Sequence, residues 1–393
     1  TVTRIRIGHG RGMALGFLRR YEESAELLQV VGRAAQELGW LTRAAAVKGR
    51  AAATAHADAQ LEKALAIYED VWRQQVALGV RSEAARTLGK MGMLCRALGD
   101  YPKALELYQR ALDEQMELGD RVGGAATLGN MGIVYQEQGD FPRALEAQQQ
   151  ALAQKIALGD GPGAAATLGN LGSVHGALGN YTQALTAFRK ALEQKRKLGD
   201  EAGAAATLGG IALVHQQLGE YGKALAAYKR ALEQQTKLND RVGVAETLGN
   251  IGIVHHSLGD YARALSIFER ALGQQRALRE TASAARTLGN IGIVYRALGD
   301  YPKALATYRE TIKQKTALGD RVGAARTRAN LGVVQQDFGN REKALATFQE
   351  ALARCRMICL TPCERLGQTR QVLVAHQSAE ALLRLHQGGR QPS

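Results

Sequence analysis

One phrase recurs along this chain and limits what it can fold into. "TLGNIGIVYRALGDY" runs from Thr287 to Tyr301, and "TLGNIGIVHHSLGDY" runs from Thr247 to Tyr261, forty residues earlier. Related versions start at Thr127 and Thr167. The aromatic that closes the phrase falls at Tyr101, Phe141, Tyr181, Tyr221, Tyr261 and Tyr301, with Tyr21 in phase and Leu61 and Arg341 in weaker copies. A chain of 393 residues would ordinarily divide into two or three domains. A 40-residue period without drift argues instead for stacked repeats sharing one continuous core.

Each unit holds two amphipathic segments, for example "RVGAARTRANLGVVQQDF" and "YPKALATYRETIKQKTAL". Their apolar residues recur at three- and four-residue spacings, as on helices. The punctuation between them has a mechanism. Gly119 or Gly319, and Gly99 or Gly299, suit the left-handed conformation that ends a helix. Asp120 or Asp320, and Asp100 or Asp300, suit the cap of the next helix. Pro102, Pro142 and Pro302 fall just inside the second helix, where a missing N–H costs little. The expected fold class is all-α, a chain of antiparallel helix pairs.

Glycines recur inside the first helix, at Gly92, Gly132, Gly172, Gly252, Gly292 and Gly332. Each costs about 1 kcal/mol relative to Ala, so close approach of the second helix is the expected compensation. Ala104, Ala144, Ala184, Ala224, Ala264, Ala304 and Ala344 are expected to face these glycines. Tyr108, Phe188, Tyr228, Phe268, Tyr308 and Phe348 are expected to fill the gap beyond them.

The pattern Leu-x-x-(Leu/Ile/Met)-Gly-x-x-Tyr, then Gly-Asp-Tyr, then Ala-x-x-x-(Tyr/Phe)-x-x-Ala resembles the tetratricopeptide repeat. Its 40-residue spacing is similar to the Pins/LGN and kinesin-light-chain branches and to bacterial multi-repeat proteins of that family. The resemblance implies an α-solenoid, a right-handed superhelix of antiparallel helix pairs. It divides the chain into a degenerate N-terminal half-repeat or cap (1–41), an array of one degenerate and seven clear repeats (42–358), and C-terminal capping helices with a tail (359–393).

In such a superhelix the first helices make the concave wall. The Asn of "LGN" then forms a line along that wall at Asn130, Asn170, Asn250, Asn290 and Asn330, with Lys90 and Gly210 as departures. Each carboxamide offers two donors and an acceptor, which suits an extended peptide backbone. The repeat portion of O-GlcNAc transferase is similar in holding peptide by an asparagine ladder. The other reading is that each Asn bonds to a neighbouring helix within the array. Gly89, Gly129, Gly169, Gly209, Gly249 and Gly289 leave room on the same wall. Ile133, Ile253, Ile293 and Val333 are its apolar positions. Gln136, Gln216, His256 and Arg296 follow three residues further on, and Arg86, Arg286 and Arg326 stand at its opening. This set suits a protein or peptide segment, extended or helical, with apolar anchors and acidic residues.

The expected function is therefore a non-catalytic protein-binding scaffold without a cofactor and with self-association open. One alternative is a sensor or regulatory module of a larger multidomain protein, such as a bacterial signalling or defence protein. A second is a basic nucleic-acid-binding solenoid, suggested by a net charge of +14. The spread of charge argues against that second alternative. The basic excess is four in residues 1–60, six in 321–393 and four in all the sequence between.

Other constellations carry less. His175, His215 and His255 occupy the place of Tyr135 and Tyr295, too far apart for one metal, and read as core histidines. Cys355, Cys359 and Cys363, with His376 beyond, match no metal-binding spacing, and Pro362 interrupts the helix that would align them. With Cys95 isolated there is no disulfide framework, which points to a reducing, cytoplasmic setting. No apolar run approaches the ~18 residues of a membrane span, and the first residues lack the apolar core of a signal peptide. No Walker motif or nucleophile elbow occurs, so catalysis is not expected.

Overall fold

The computed structural model describes residues 60–358, together with 26–31, 33 and 48. The proposed cap at 1–41 and the closing helices at 359–393 lie essentially outside them. The chain forms two compact units, residues 1–200 and 201–393. The first unit contains α1 (Leu61–Ala77), α2 (Arg81–Ala97), α3 (Tyr101–Glu117), α4 (Arg121–Glu137), α5 (Phe141–Ala157), α6 (Gly161–Ala177) and α7 (Tyr181–Lys197). The second contains α8 (Glu201–Gln217), α9 (Tyr221–Lys237), α10 (Arg241–Ser257), α11 (Tyr261–Ala277), α12 (Thr281–Ala297), α13 (Tyr301–Ala317), α14 (Arg321–Asp337) and α15 (Arg341–Ile358). No strand occurs among the described residues.

The 40-residue period resolves into two equal steps. Helices α1 to α14 each begin 20 residues after the last, spend 17 residues in helix and three in the turn. Turn glycines such as Gly99 and Gly319 sit at φ between +68° and +84°, where a Cβ is strained. Asp100 closes one helix and opens the next. Its N–H donates to Cys95 O at 2.9 Å, the outer bond of a Schellman motif. Its carboxylate then accepts from Lys103 N at 3.2 Å. Asp120, Asp240 and Asp320 cap their helices through Gly123, Gly243 and Gly323. An N-cap of this kind contributes about 1 kcal/mol.

Within each unit the two helices of a repeat pack as a hairpin. The second helix packs on the first helix of the next repeat, and successive first helices touch along one side. That side is the first-helix face. The core lies between the helices. Ala104, Ala144, Ala184, Ala224, Ala264 and Ala304 are fully buried, as are the rings of Tyr108, Tyr228 and Tyr308.

The recurring glycines face something other than these alanines. A Cβ on Gly252 would stand 2.7 Å from Phe268 Cε1, and one on Gly172 would stand 2.8 Å from Phe188 Cδ1. Gly92, Gly292 and Gly332 meet Tyr108, Tyr308 and Phe348 in the same way. The expected Gly–Ala contact is thus replaced by a glycine seat for an aromatic ring sixteen residues on. The repeat carrying Gln148 in place of a ring uses the space differently, since its Nε2 donates to Gly129 O at 2.9 Å.

Candidate functional site

The first-helix face of the first unit contains a cavity of about 560 Å³ between α2 and α4. Arg86, Lys90 and Met93 line it from α2, and Val122, Ala126 and Asn130 from α4. The spacings of three and four residues place each trio on one helix face. Asp120, the cap of α4, also lines it, as do Gln115, from the end of α3, and Thr127, which bond to each other, Thr127 Oγ1 donating to Gln115 Oε1 at 2.8 Å.

This Thr is the residue that the sequence reading passed over. Thr87 donates to Gln75 Oε1 at 2.7 Å and Thr247 to Gln235 Oε1 at 2.8 Å, both across the joint between repeats. At the next joint of the first unit Lys155 takes the glutamine's place and donates to Thr167 Oγ1 at 2.8 Å. In the second unit Lys315 stands at the same place, but its ammonium donates to Gly323 O at 3.5 Å and Thr327 Oγ1 donates to that carbonyl at 2.7 Å. Burial pushes the ammonium groups of Lys155 and Lys315 below the ordinary lysine range. For Lys315 the Asp320 carboxylate opposes that shift, while Arg326 and Arg286 add to it. The signal was in the sequence: the Thr of "TLGN" recurs every 40 residues, always twelve after a Gln or Lys.

The five asparagines, Asn130, Asn170, Asn250, Asn290 and Asn330, are half-buried. None has a side-chain hydrogen bond among the described residues. Ile253, Ile293 and Val333 are half-buried and pack on the core beneath them, and Ile133 is half-buried too. Gly89, Gly209 and Gly249 face open space, with nothing within 4 Å of an added Cβ.

The charged and polar candidates divide. Arg286 and Arg326 are exposed and form no ion pair among the described residues. Arg86 pairs with Glu83 on its own helix. Arg296 bonds Asp337 of the next first helix at 2.7 Å, as Arg96 bonds Glu137. Arg296 therefore ties two repeats together. Gln216 accepts from Tyr228 Oη at 3.3 Å, and the His256 ring lies 5.5 Å from that of Tyr261. Gln136 is half-buried. Burial lowers the pKa of His256 and of His175. His215 Nδ1 lies 2.5 Å from Glu220 Oε2, and His255 Nδ1 lies 3.6 Å from Asp260 Oδ2. His215 is thus engaged at its own turn, whereas His255 Nδ1 is buried without a hydrogen-bond partner. Cys95 is buried, and the side chains of Cys355, Cys359 and Cys363 lie outside the described residues. No described helix is long and apolar enough to cross a membrane.

The tetratricopeptide repeat model matches residues 83–157, 163–237, 203–277 and 283–357. Because these segments cover more than half of the sequence, the chain belongs to the tetratricopeptide repeat family. No curated protein matches it. Among solved structures it is similar to aspartyl phosphate phosphatase F from Bacillus subtilis, at 13% identity over 94% of this chain and 96% of that one, with a TM-score of 0.60. It is similar as well to a signal-transduction ATPase with a tetratricopeptide repeat sensor from Pyrococcus horikoshii. There the identity is 14% over 88% of this chain and 52% of that one, with a TM-score of 0.59. BtubC from P. vanneervenii shares 26% identity over 54% of this chain and 89% of its own, with a TM-score of 0.48. The first two likenesses are of fold: tandem helix pairs in an all-α solenoid.

Proposed function

We propose that the first-helix face of each unit binds an extended segment of a protein partner, with that unit's asparagines contacting its backbone. One observation carries this reading: five half-buried carboxamides, in phase every 40 residues, have no hydrogen-bond partner among the described residues. None of their amide atoms is buried away from water, so each carboxamide is open to a ligand without first breaking a bond within the array. A peptide backbone offers donors and acceptors that complete it. The absence of an internal partner also weakens the purely structural reading of the row. The half-buried Ile253, Ile293 and Val333 suit apolar anchors of the segment, and Arg286, Lys315 and Arg326 suit acidic residues within it.

The test is peptide display against the whole chain and against a variant with Asn250, Asn290 and Asn330 all changed to Ala. Peptides selected by the wild type should be lost by the variant while its thermal midpoint is unchanged. A variant that is destabilised but retains those peptides would make the row structural.

A further inference from the structure

The first residue of each first helix faces the last turn of the second helix in its own repeat. In the first clear repeat this address is a closed ion pair, because Arg81 Nε donates to Glu114 Oε2 at 2.9 Å and the guanidinium also bonds Glu117. In the repeat of α8 and α9 the roles are exchanged, with Gln234 Nε2 donating to Glu201 Oε2 at 3.3 Å. In the repeat of α10 and α11 the arginine stays and both acids are gone. Arg241 has Gln274 and Ala277 where Arg81 has Glu114 and Glu117. It makes no ion pair among the described residues, and the Oε1 atom of Gln274 is buried without a partner.

A cavity of about 330 Å³ opens at this address, where α9, α10 and α11 meet. Arg241, Arg270, Gln274 and Asn239, with Gln235 and Thr236, supply its polar lining and Leu232 and Leu248 part of its apolar lining; the lining contains no Asp or Glu. Arg270 also lacks the support its counterpart has. Arg110 lies 4.0 Å from Glu106 and over the Trp72 ring, whereas Arg270 has Ser266 one turn back. Asn239 adds a second departure. It holds φ +55° at a turn position that is Gly in most copies, a conformation Asn tolerates, and it lines the cavity.

Arg241 and Arg270 are both exposed beside this one cavity, and each presents a planar fork that matches an oxyanion. The apolar part of the lining favours an anion with an organic body, and the volume falls within the range of small-molecule sites. At 100° per residue, Arg241, Val244 and Leu248 lie on the side of α10 opposite Glu246, Asn250 and Ile253. The cavity is therefore separate from the first-helix face. We propose that α9, α10 and α11 form a second ligand site that binds a small organic oxyanion, a carboxylate or phosphate monoester, through Arg241 and Arg270.

The experiment uses the whole chain, with phenyl phosphate and phenylacetate as probes and benzyl alcohol as the uncharged control. Isothermal titration should show saturable binding of at least one anion and none of the alcohol, and the stronger anion identifies the headgroup. Arg241→Gln should weaken binding at least tenfold. Gln274→Glu with Ala277→Glu restores the internal pair seen at Arg81 and should weaken it as much, with both arginines still present. Arg81→Gln, which removes a paired arginine, should leave binding unchanged. Circular dichroism at the titration temperature confirms that each variant is folded. Failure of both anions to bind the wild type, or equal binding by the Gln274→Glu/Ala277→Glu variant, overturns the proposal.

Discussion

The first-helix face at residues 86–130 and its counterpart at 286–330, two hundred residues on, share a backbone address and differ in side chains. Arg86 and Arg286 correspond, as do Asn130 and Asn330. Lys90 becomes Asn290, Gln115 becomes Lys315 and Ala126 becomes Arg326. In the first unit the base of this address is a neutral Thr–Gln hydrogen bond. In the second it is a half-buried ammonium with two guanidinium groups close enough to disturb it. The wall keeps two cations, Arg326 standing in for Lys90, and the base gains a third while the helices keep their places. The period thus specifies the geometry, and a few positions that vary between copies specify the ligand chemistry.

The largest expected effect tests whether the second unit grips harder. Changing Asn250, Asn290 and Asn330 together to Ala should weaken partner binding by about 1 kcal/mol per lost hydrogen bond, or roughly a hundredfold in affinity for three. Changing Asn130 and Asn170 should cost less per asparagine, because a cavity that carries Lys90 retains a cation of its own. Equal losses per asparagine, read by titration with a selected peptide, would erase the proposed difference.

The next effect tests the part that the two units share. Gly92→Leu and Gly252→Leu should each cost roughly 1–3 kcal/mol by overpacking against Tyr108 and Phe268, measured by urea unfolding. Gly252→Ala should cost less, since Ala212 already fills the corresponding place against Tyr228 in a neighbouring repeat. Different losses for the two Leu variants would show that the units are packed differently.

Lys315→Gln makes the second unit resemble the first. Binding of an acidic peptide should fall several-fold, and its dependence on salt should flatten, because an exposed or half-exposed charge contributes up to about 1 kcal/mol. An unchanged salt dependence would remove Lys315 from the ligand's surroundings.

The smallest effect is a pH dependence. Burial holds the pKa of Lys315 below its ordinary value, so between the depressed folded value and the unfolded value near 10.5 the unfolded chain binds more protons. The contribution of this group to stability therefore rises with pH across that window. Lys315→Met should be slightly more stable than the wild type at pH 7, and the gap should narrow as the pH approaches 10. A gap that widens instead would mean that the ammonium is stabilised where it lies.

Much of this was legible in the sequence, for reasons that can be named. The helix ends were readable because Gly99 and Asp100 act on neighbours within five residues. The partner of Gly252 was not readable, because periodicity shows which face is buried and not which residue stands opposite. That Phe268 rather than Ala264 fills the seat depends on how the two helices cross. Arg296 was read as available to a ligand because its partner, Asp337, is 41 residues away. Only the spacing between successive first helices brings those two together. The row from Asn130 to Asn330 was visible as a row. That the five carboxamides lack internal partners became visible only with neighbouring side chains in place.

The reach of the links within each unit has one more consequence. Helix ends are tied over about five residues, joints such as Thr127–Gln115 over twelve, and the longest ties, Arg96–Glu137 and Arg296–Asp337, over 41. Among the described residues no tie needs one end of a unit to find the other, so little loop-closure entropy opposes their assembly and folding should be fast for the chain's length. Pulled from its ends, such a unit should come apart helix pair by helix pair, as a zipper opens. A partner lying across several first helices would then act as a splint, raising the force at which the first tooth lets go.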